Sequence, residues 1–502
     1  MILPPMLRCS KCAFLFHWAR GHNRVFIPEI RIMSTAASSQ FAQGRARRQQ
    51  APLAGHAEPG NIRRDPLPLL EASSAGRIAR LVPLRYGRML VSPFTFFRGA
   101  AMLQAHDLAG TPHSGIIQQI CGDAHLGNFG GFASPERTLL FDLNDFDETH
   151  PGPWEWDVKR LAASFVLAAR TGGFSRHSAD EIVYRLVRSY QRWMAHYAEK
   201  GAMQVWYDRI SYERLLDSID DEHAREVLGR EMKKAQKRTH ERLLPKIGSK
   251  VEGRWQINDE LPSLFHIFGE NPVFGAEERK MLLGNRQALA QQLYGEYLAT
   301  ISISHRQLLE RFSMQDLACK VVGVGSVGTR CLVLLLTDEQ DKPLFLQIKE
   351  ARPSVLAPYV PAGVSPYANE GQRVVVGKRL MQAFSDIFLG WSHAGGHHFY
   401  FRQLRDMKIS PAIERYSPTV MALYGELCGW VLARAHARSG GFAGEISGYL
   451  GRDDEFASAL VRYAAAYADQ SERDYELFRA ACLSGRLEAQ SEDDFVAAMT
   501  GG

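Results

Sequence analysis

Residues 121–148 read CGDAHLGNFGGFASPERTLLFDLNDFDE, and residues 321–350 read VVGVGSVGTRCLVLLLTDEQDKPLFLQIKE. In the first stretch an apolar run over 115–121 predicts a strand that opens into the polar turn GDAHLGN, and 138–143 predicts a second strand ending in acids. Asp142, Asp145, Asp147 and Glu148 crowd together there, and like charges this close repel unless a cation or hydrogen bonds compensate. In the second stretch GVGSVG has the G-x-G-x-x-G form, which also marks dinucleotide sites. A dinucleotide site needs a helix opening at the third glycine. Here TRCLVLLL and a DEQDKP turn follow instead, so the glycines are expected in a hairpin between strands.

Working outward, 154–170 predicts a helix with an apolar face, and 178–200 another, with Ser178 and Glu181 as its capping box. Residues 212–245 read as one charged helix whose Lys233, Lys234, Lys237 and Arg238 are taken as a solvated face, with contact to an anion as the alternative. Helices are expected again over 370–384 and from 417 onward, with a strand over 398–404. The order is therefore helical, then β-rich, then helical. It divides the chain into a basic tail (1–62), a first helical segment (63–310), a β-rich segment (311–405) and a second helical segment (406–502).

Composition is that of a soluble globular chain, with 45% hydrophobic and 23% charged residues in 502. The net charge of +5 is small for this length, so neither nucleic acid nor an anionic membrane is expected as a partner. Seven cysteines without framework spacing favour a reducing, cytoplasmic setting, and no apolar run is long enough to span a membrane. Residues 34–60, rich in Ser, Ala, Gln, Gly and Arg, are expected to be disordered, and Met33 is an alternative start. Cys9, Cys12, His17 and His22 have spacing close to a zinc knuckle, although that pattern normally ends in Cys.

The GDAHLGN turn, the acidic strand end, the glycine hairpin and PLFLQIK together resemble the protein kinase-like superfamily, and GDAHLGN is closest to the HGDLHPGN loop of aminoglycoside phosphotransferase-type small-molecule kinases. They also resemble an uncharacterised bacterial domain-of-unknown-function family grouped with it, through RYGRMLVSPFTFFRGAA, FDLNDFDETHPGPWEWDVKRLAAS and GYLGRDDEF. The resemblance implies an α+β, bilobal, kinase-like fold in which the glycine hairpin follows the catalytic loop. That order is a circular permutation, with a small β-rich lobe set between two halves of a helical lobe.

By this resemblance Asp123 is the catalytic base, and Asn128, five residues on, and Asp142 are metal ligands, with Asp145 as a second carboxylate. Gly323, Gly325, Ser326 and Gly328 cover the phosphates of ATP, and Lys349 grips them. Glu370, opening a helix 21 residues later, is the partner expected for Lys349, with Glu350 and Glu414 as rivals; neighbours along a strand face opposite ways, which weakens Glu350. Asp147 and Glu148 are expected to face solvent or bind backbone. Asp157 would brace the loop, whose usual histidine is replaced by Cys121, and His436 is read as a core residue. Arg330 stands where an adenine-covering valine is usual, and Arg85, Arg88 and Arg98 are read as either anion ligands or salt-bridge residues. The expected cofactors are ATP and Mg²⁺, with a small-molecule hydroxyl as acceptor. A nucleotide-binding pseudokinase, a protein-directed kinase and a nucleotidyltransferase stay open as alternatives.

Overall fold

The computed structural model describes residues 35–218, 222–235, 237–266, 286–361, 363–404 and 407–500, so Cys9, Cys12, His17 and His22 lie outside the described residues. The fold is mixed α+β. Twelve strands are described: β1 (Ile117–Ile120), β2 (Phe129–Ala133), β3 (Leu139–Leu143), β4 (His150–Pro153), β5 (Gly248–Val251), β6 (Arg254–Ile257), β7 (Leu264–Phe265), β8 (Ser313–Lys320), β9 (Cys331–Thr337), β10 (Pro343–Ala351), β11 (Gly390–Ala394) and β12 (His397–Gln403). Six form one antiparallel sheet in the order β11-β12-β10-β9-β8-β7. The sheet therefore takes its first strand from before residue 311.

The run CLVLLLT explains the centre of that sheet. All seven residues of β9 are buried, which suits a strand covered on both faces. Side chains alternate along a strand. Leu332, Leu334 and Leu336 enter one apolar cluster with Tyr297 and Phe401, whose rings stack 4.0 Å apart, while Val333 and Leu335 enter another with Phe345 and Leu244.

The larger core is helical, built from Trp154–Thr171, Arg176–Ala198, Pro418–Gly440 and the beginning of Glu455–Leu483. Two of these helices touch closely because Gly429 carries no side chain: a Cβ there would lie 2.4 Å from the Leu186 carbonyl oxygen. Trp193 and Trp430 stack at 4.0 Å across the same contact.

Three local expectations are corrected. The second of these helices starts at Arg176 and is capped by Ser175, whose hydroxyl accepts from the Ser178 N–H; the cap is three residues earlier than the capping box at Ser178 suggested. Residues 212–245 are three helices, Tyr212–Ser218, Glu222–Ala235 and His240–Ile247, instead of one. Residues 35–60 are ordered. Helix Thr35–Ala46 packs on Ala443–Leu450, with Gly44 against the Glu445 carbonyl and Gly448 against that of Phe41. Arg47 pairs with Glu445 at 2.9 Å, and buried His56 bonds the Tyr449 hydroxyl at 2.6 Å. The small residues that looked like a disordered composition instead allow two backbones to approach. Among the described residues, no helix is long and apolar enough to cross a membrane.

Candidate functional site

The turn after β1 is held from below by Asp157. Its carboxylate accepts from the Cys121 N–H at 2.7 Å and the Gly122 N–H at 2.8 Å, and it meets His436 Nε2 at 3.1 Å. His436, fully buried, bonds Tyr190 through its other ring nitrogen at 2.8 Å. The bracing role expected of Asp157 is thus filled, and the absence of a histidine at Cys121 is covered by one brought in from helix Pro418–Gly440. The same helix sends the Tyr424 hydroxyl to the Leu126 carbonyl at 2.7 Å. Gly122 is required twice: its φ is +82°, and a Cβ would lie 2.2 Å from the Glu148 carbonyl oxygen.

Above this turn lies a cavity of about 1070 Å³ whose wall includes Asn128, Asn144, Asp145, Gly323, Ser326 and Lys349. Asn128 donates its amide N–H to the Asp123 carbonyl at 2.7 Å and lines the cavity. Asp123 itself pairs with the buried Arg160, and its charge acts on both Arg98 and Asp145. Arg98 lines the cavity, and its buried Nε has no hydrogen-bond partner among the described residues.

Lys349 is 2% exposed and reaches Asp147 at 2.5 Å and Asp145 at 4.0 Å. Burial alone would depress its ammonium pKa, but Asp145 and Asp147 outweigh burial and hold it well above the usual lysine range. Asp147 also accepts from the Tyr400 hydroxyl at 2.6 Å and the Ser326 hydroxyl at 3.2 Å. Burial opposes its ionisation, yet Lys349 and Tyr400 bring its pKa down to about 2. Asp145 moves the other way, raised first by burial and then by repulsion from Asp147. The glycine hairpin and the acidic segment therefore meet across one cavity, although they are far apart in the chain.

Several expected site residues are placed otherwise. Asp142 is 1% exposed, and both its oxygens are taken: Arg434 Nη2 donates at 2.6 and 2.8 Å, and the N–H groups of Leu143 and Ala383 donate at 2.9 and 2.8 Å. No lone pair is left facing the cavity for a metal. Glu370 pairs at 2.5 Å with Arg373 and not with Lys349. Asp147, expected in solvent or on backbone, is the true lysine partner. Glu148 does bind backbone, accepting from the Val355 N–H at 2.8 Å, and burial raises its pKa to about 6. Glu350, as strand alternation requires, turns away from Lys349 and pairs with Arg330 at 3.2 Å.

The glycine hairpin itself is held by arginines. Arg77 donates to the carbonyls of Gly325 and Val327 at 2.7 and 2.6 Å, and Arg88 to that of Gly323 at 2.8 Å. Gly323 and Gly328 have φ of +62° and +85°. Of the three arginines weighed from the sequence, Arg85 is a buried brace to Ser73 and Gly99, Arg88 pairs with Glu492, and Arg98 alone lines the cavity. Arg77, Arg160 and Arg434 carried no local signal. Asp147 did carry one: it lies two residues from Asp145 in the same acidic cluster.

Ten cationic side chains line the cavity against Asp145, Asp386 and Glu414. Arg98, Lys320, Lys349, Lys378 and Arg402 are buried or half-buried; Lys237, Arg238, Arg242, Lys246 and Lys408 are exposed. Such an excess suits a polyanionic ligand. Among the described residues, no group of three or more His, Cys, Asp or Glu could hold a metal. Asn128 and Asp145 nevertheless suit Mg²⁺, which takes one or two protein ligands and completes its shell with phosphate and water.

A family model described as an uncharacterized protein conserved in bacteria (DUF2252) matches residues 77–481. No curated protein and no solved structure matches the chain.

Proposed function

We propose that this chain, which belongs to the bacterial DUF2252 family, is an ATP- and Mg²⁺-dependent phosphotransferase acting on a small-molecule hydroxyl. Its architecture is read as a permuted, bilobal, kinase-like fold. The observation that carries the reading is the convergence of Lys349, Ser326 and Asp145 on one cation-rich cavity beside the Asp123–Asn128 turn. Lys349 and the backbone around Gly323 hold phosphate oxygens; Asn128 and Asp145 hold Mg²⁺; Asp123 orients the acceptor hydroxyl and takes its proton. When bound, Mg²⁺ supplies charge neutralisation at the phosphates. Lys349 must exchange part of its contact with Asp147 for phosphate, and the Tyr400 and Ser326 hydroxyls keep Asp147 hydrogen-bonded as it does so.

A second reading, a nucleotide-binding module without turnover, is favoured by one observation: Asp142 and Glu370 are both committed to arginines. ATP consumption with and without Mg²⁺, against a pool of metabolites, separates the two. Mg²⁺-dependent consumption that falls in Asp145→Asn supports the phosphotransferase. Mg²⁺-independent nucleotide binding without consumption supports the module.

A further inference from the structure

The cavity wall next to Lys349 is not built for a flat, uncharged group. In the sheet, Cys331, Lys349 and Tyr400 form one cross-strand row, and Ala318, Val333, Gln347 and Arg402 form the next on the same face. Arg402, which lines the cavity, donates Nε–H to the Gln347 side-chain oxygen at 2.9 Å, and its two Nη groups have no hydrogen-bond partner among the described residues. Helix Glu370–Met381 adds Lys378, only 8% exposed, to the same wall. Its ammonium has no hydrogen-bond or ion-pair partner among the described residues. Asp386 and Asp145 act on it only from beyond ion-pair reach, and Asp386 accepts from the N–H groups of Phe388, at 2.8 Å, and Gln403. Burial, with Arg402 alongside, lowers the Lys378 pKa to about 8. A buried, unpaired ammonium is costly, and the cost is recovered when an anion enters.

We propose that Lys378 and Arg402 form a phosphate-binding subsite in the inner wall of the cavity, distinct from the hairpin at Gly323–Gly328. It rests on the preceding reading only in taking the cavity as the ligand site. The phosphate is either the end group of the nucleotide or a group on a separate, phosphorylated ligand.

The test is equilibrium dialysis of inorganic phosphate against the full chain, without Mg²⁺ or nucleotide. Saturable binding is expected. Lys378→Met should weaken it roughly ten- to a hundredfold, the range for one charge-assisted hydrogen bond. Lys378→Arg should restore it, and Lys342→Met, outside the cavity, should leave it unchanged. Arg402→Gln gives the same reading should Lys378→Met fail to fold. No saturable binding, or equal binding by wild type and the folded variants, overturns the subsite. Displacement of phosphate by ATP assigns the subsite to the nucleotide, and simultaneous binding assigns it to a second ligand. ATP turnover without phosphate binding removes the subsite alone, and phosphate binding without turnover removes the phosphotransfer reading alone.

Discussion

Two ion pairs drawn from one short acidic segment behave as opposites. Asp142–Arg434 is sealed, with both partners about 1% exposed and every carboxylate oxygen satisfied by the guanidinium and two backbone N–H groups. Asp147–Lys349, five residues on, borders the cavity, and its carboxylate is 26% exposed. A sealed pair costs too much to open and serves as a strut. A pair at a cavity wall keeps a charged lysine in place and can trade partners with a ligand. Within one segment, then, the surroundings of a carboxylate and not its position in a motif decide its work.

The largest effect that would break this contrast is on stability. Asp142→Ala strands Arg434 in the core and removes the acceptor of two N–H groups, so unfolding free energy should fall by about 3–5 kcal/mol. Urea denaturation measures it, and a loss under about 1 kcal/mol would return Asp142 to the list of available ligands. Lys349→Met should do the reverse. Turnover should drop roughly 10²- to 10³-fold, as for other lost electrostatic contacts to developing charge, while stability falls by less than in Asp142→Ala, because the Tyr400 and Ser326 hydroxyls still bond Asp147. A variant that unfolds as readily as Asp142→Ala would make both pairs struts.

Acid–base behaviour sharpens the comparison. Glu148 has its pKa raised to about 6 by burial, so the stability it permits is full below its ordinary 4.5 and is lost as pH rises through 6. Asp147, lowered to about 2, contributes stability present above its ordinary 3.8 and lost as pH falls through 2. Glu148→Gln should therefore flatten the stability profile between pH 4.5 and 6, and Asp147→Asn should flatten it between pH 4 and 2. Thermal melts across both windows check the signs. The smallest effect belongs to Glu370→Gln. Arg373 remains held by the carbonyls of Thr149, Asp147 and Arg352, so turnover should stay within a few-fold and stability within about 1 kcal/mol. A tenfold fall in turnover would mean that Glu370 reaches Lys349 when ligand is bound.

The parts of the site that were legible in the sequence are those whose signal is local. The Asp123–Asn128 turn, the hairpin glycines and Lys349 were singled out by local motif resemblance, and the structure brings Asn128, Gly323, Ser326 and Lys349 to one cavity, while Asp123, Gly325 and Gly328 are not among its lining residues. Asp157 was legible only through the resemblance of the segment PGPWEWDVKRLAAS, which implied its bracing role. What failed was pairing across distance. Arg434 lies 292 residues from Asp142, and no periodicity in either segment announces the other. Glu370 had the right spacing and the wrong neighbour, since Arg373, one helical turn on, captured it. Residues 35–60 failed for a related reason: Gly44 and its small neighbours look disordered until Ala443–Leu450 supplies a surface for them.

The dependence of Asp142 and Asp157 on helix Pro418–Gly440 also has a consequence in time. During synthesis the acidic segment leaves the ribosome long before Arg434 exists. At roughly 5–20 residues per second the 292 intervening residues take about 15–60 s to appear. Throughout that interval two carboxylates destined for burial have no counterpart, and the loop they steady cannot settle. A message broken between codons 349 and 434 yields a polypeptide that carries the whole acidic segment, the glycine hairpin and Lys349, yet cannot close around them. Such a fragment keeps its apolar strands open to solvent, and it is a substrate for chaperones and proteases instead of a weak version of the finished molecule.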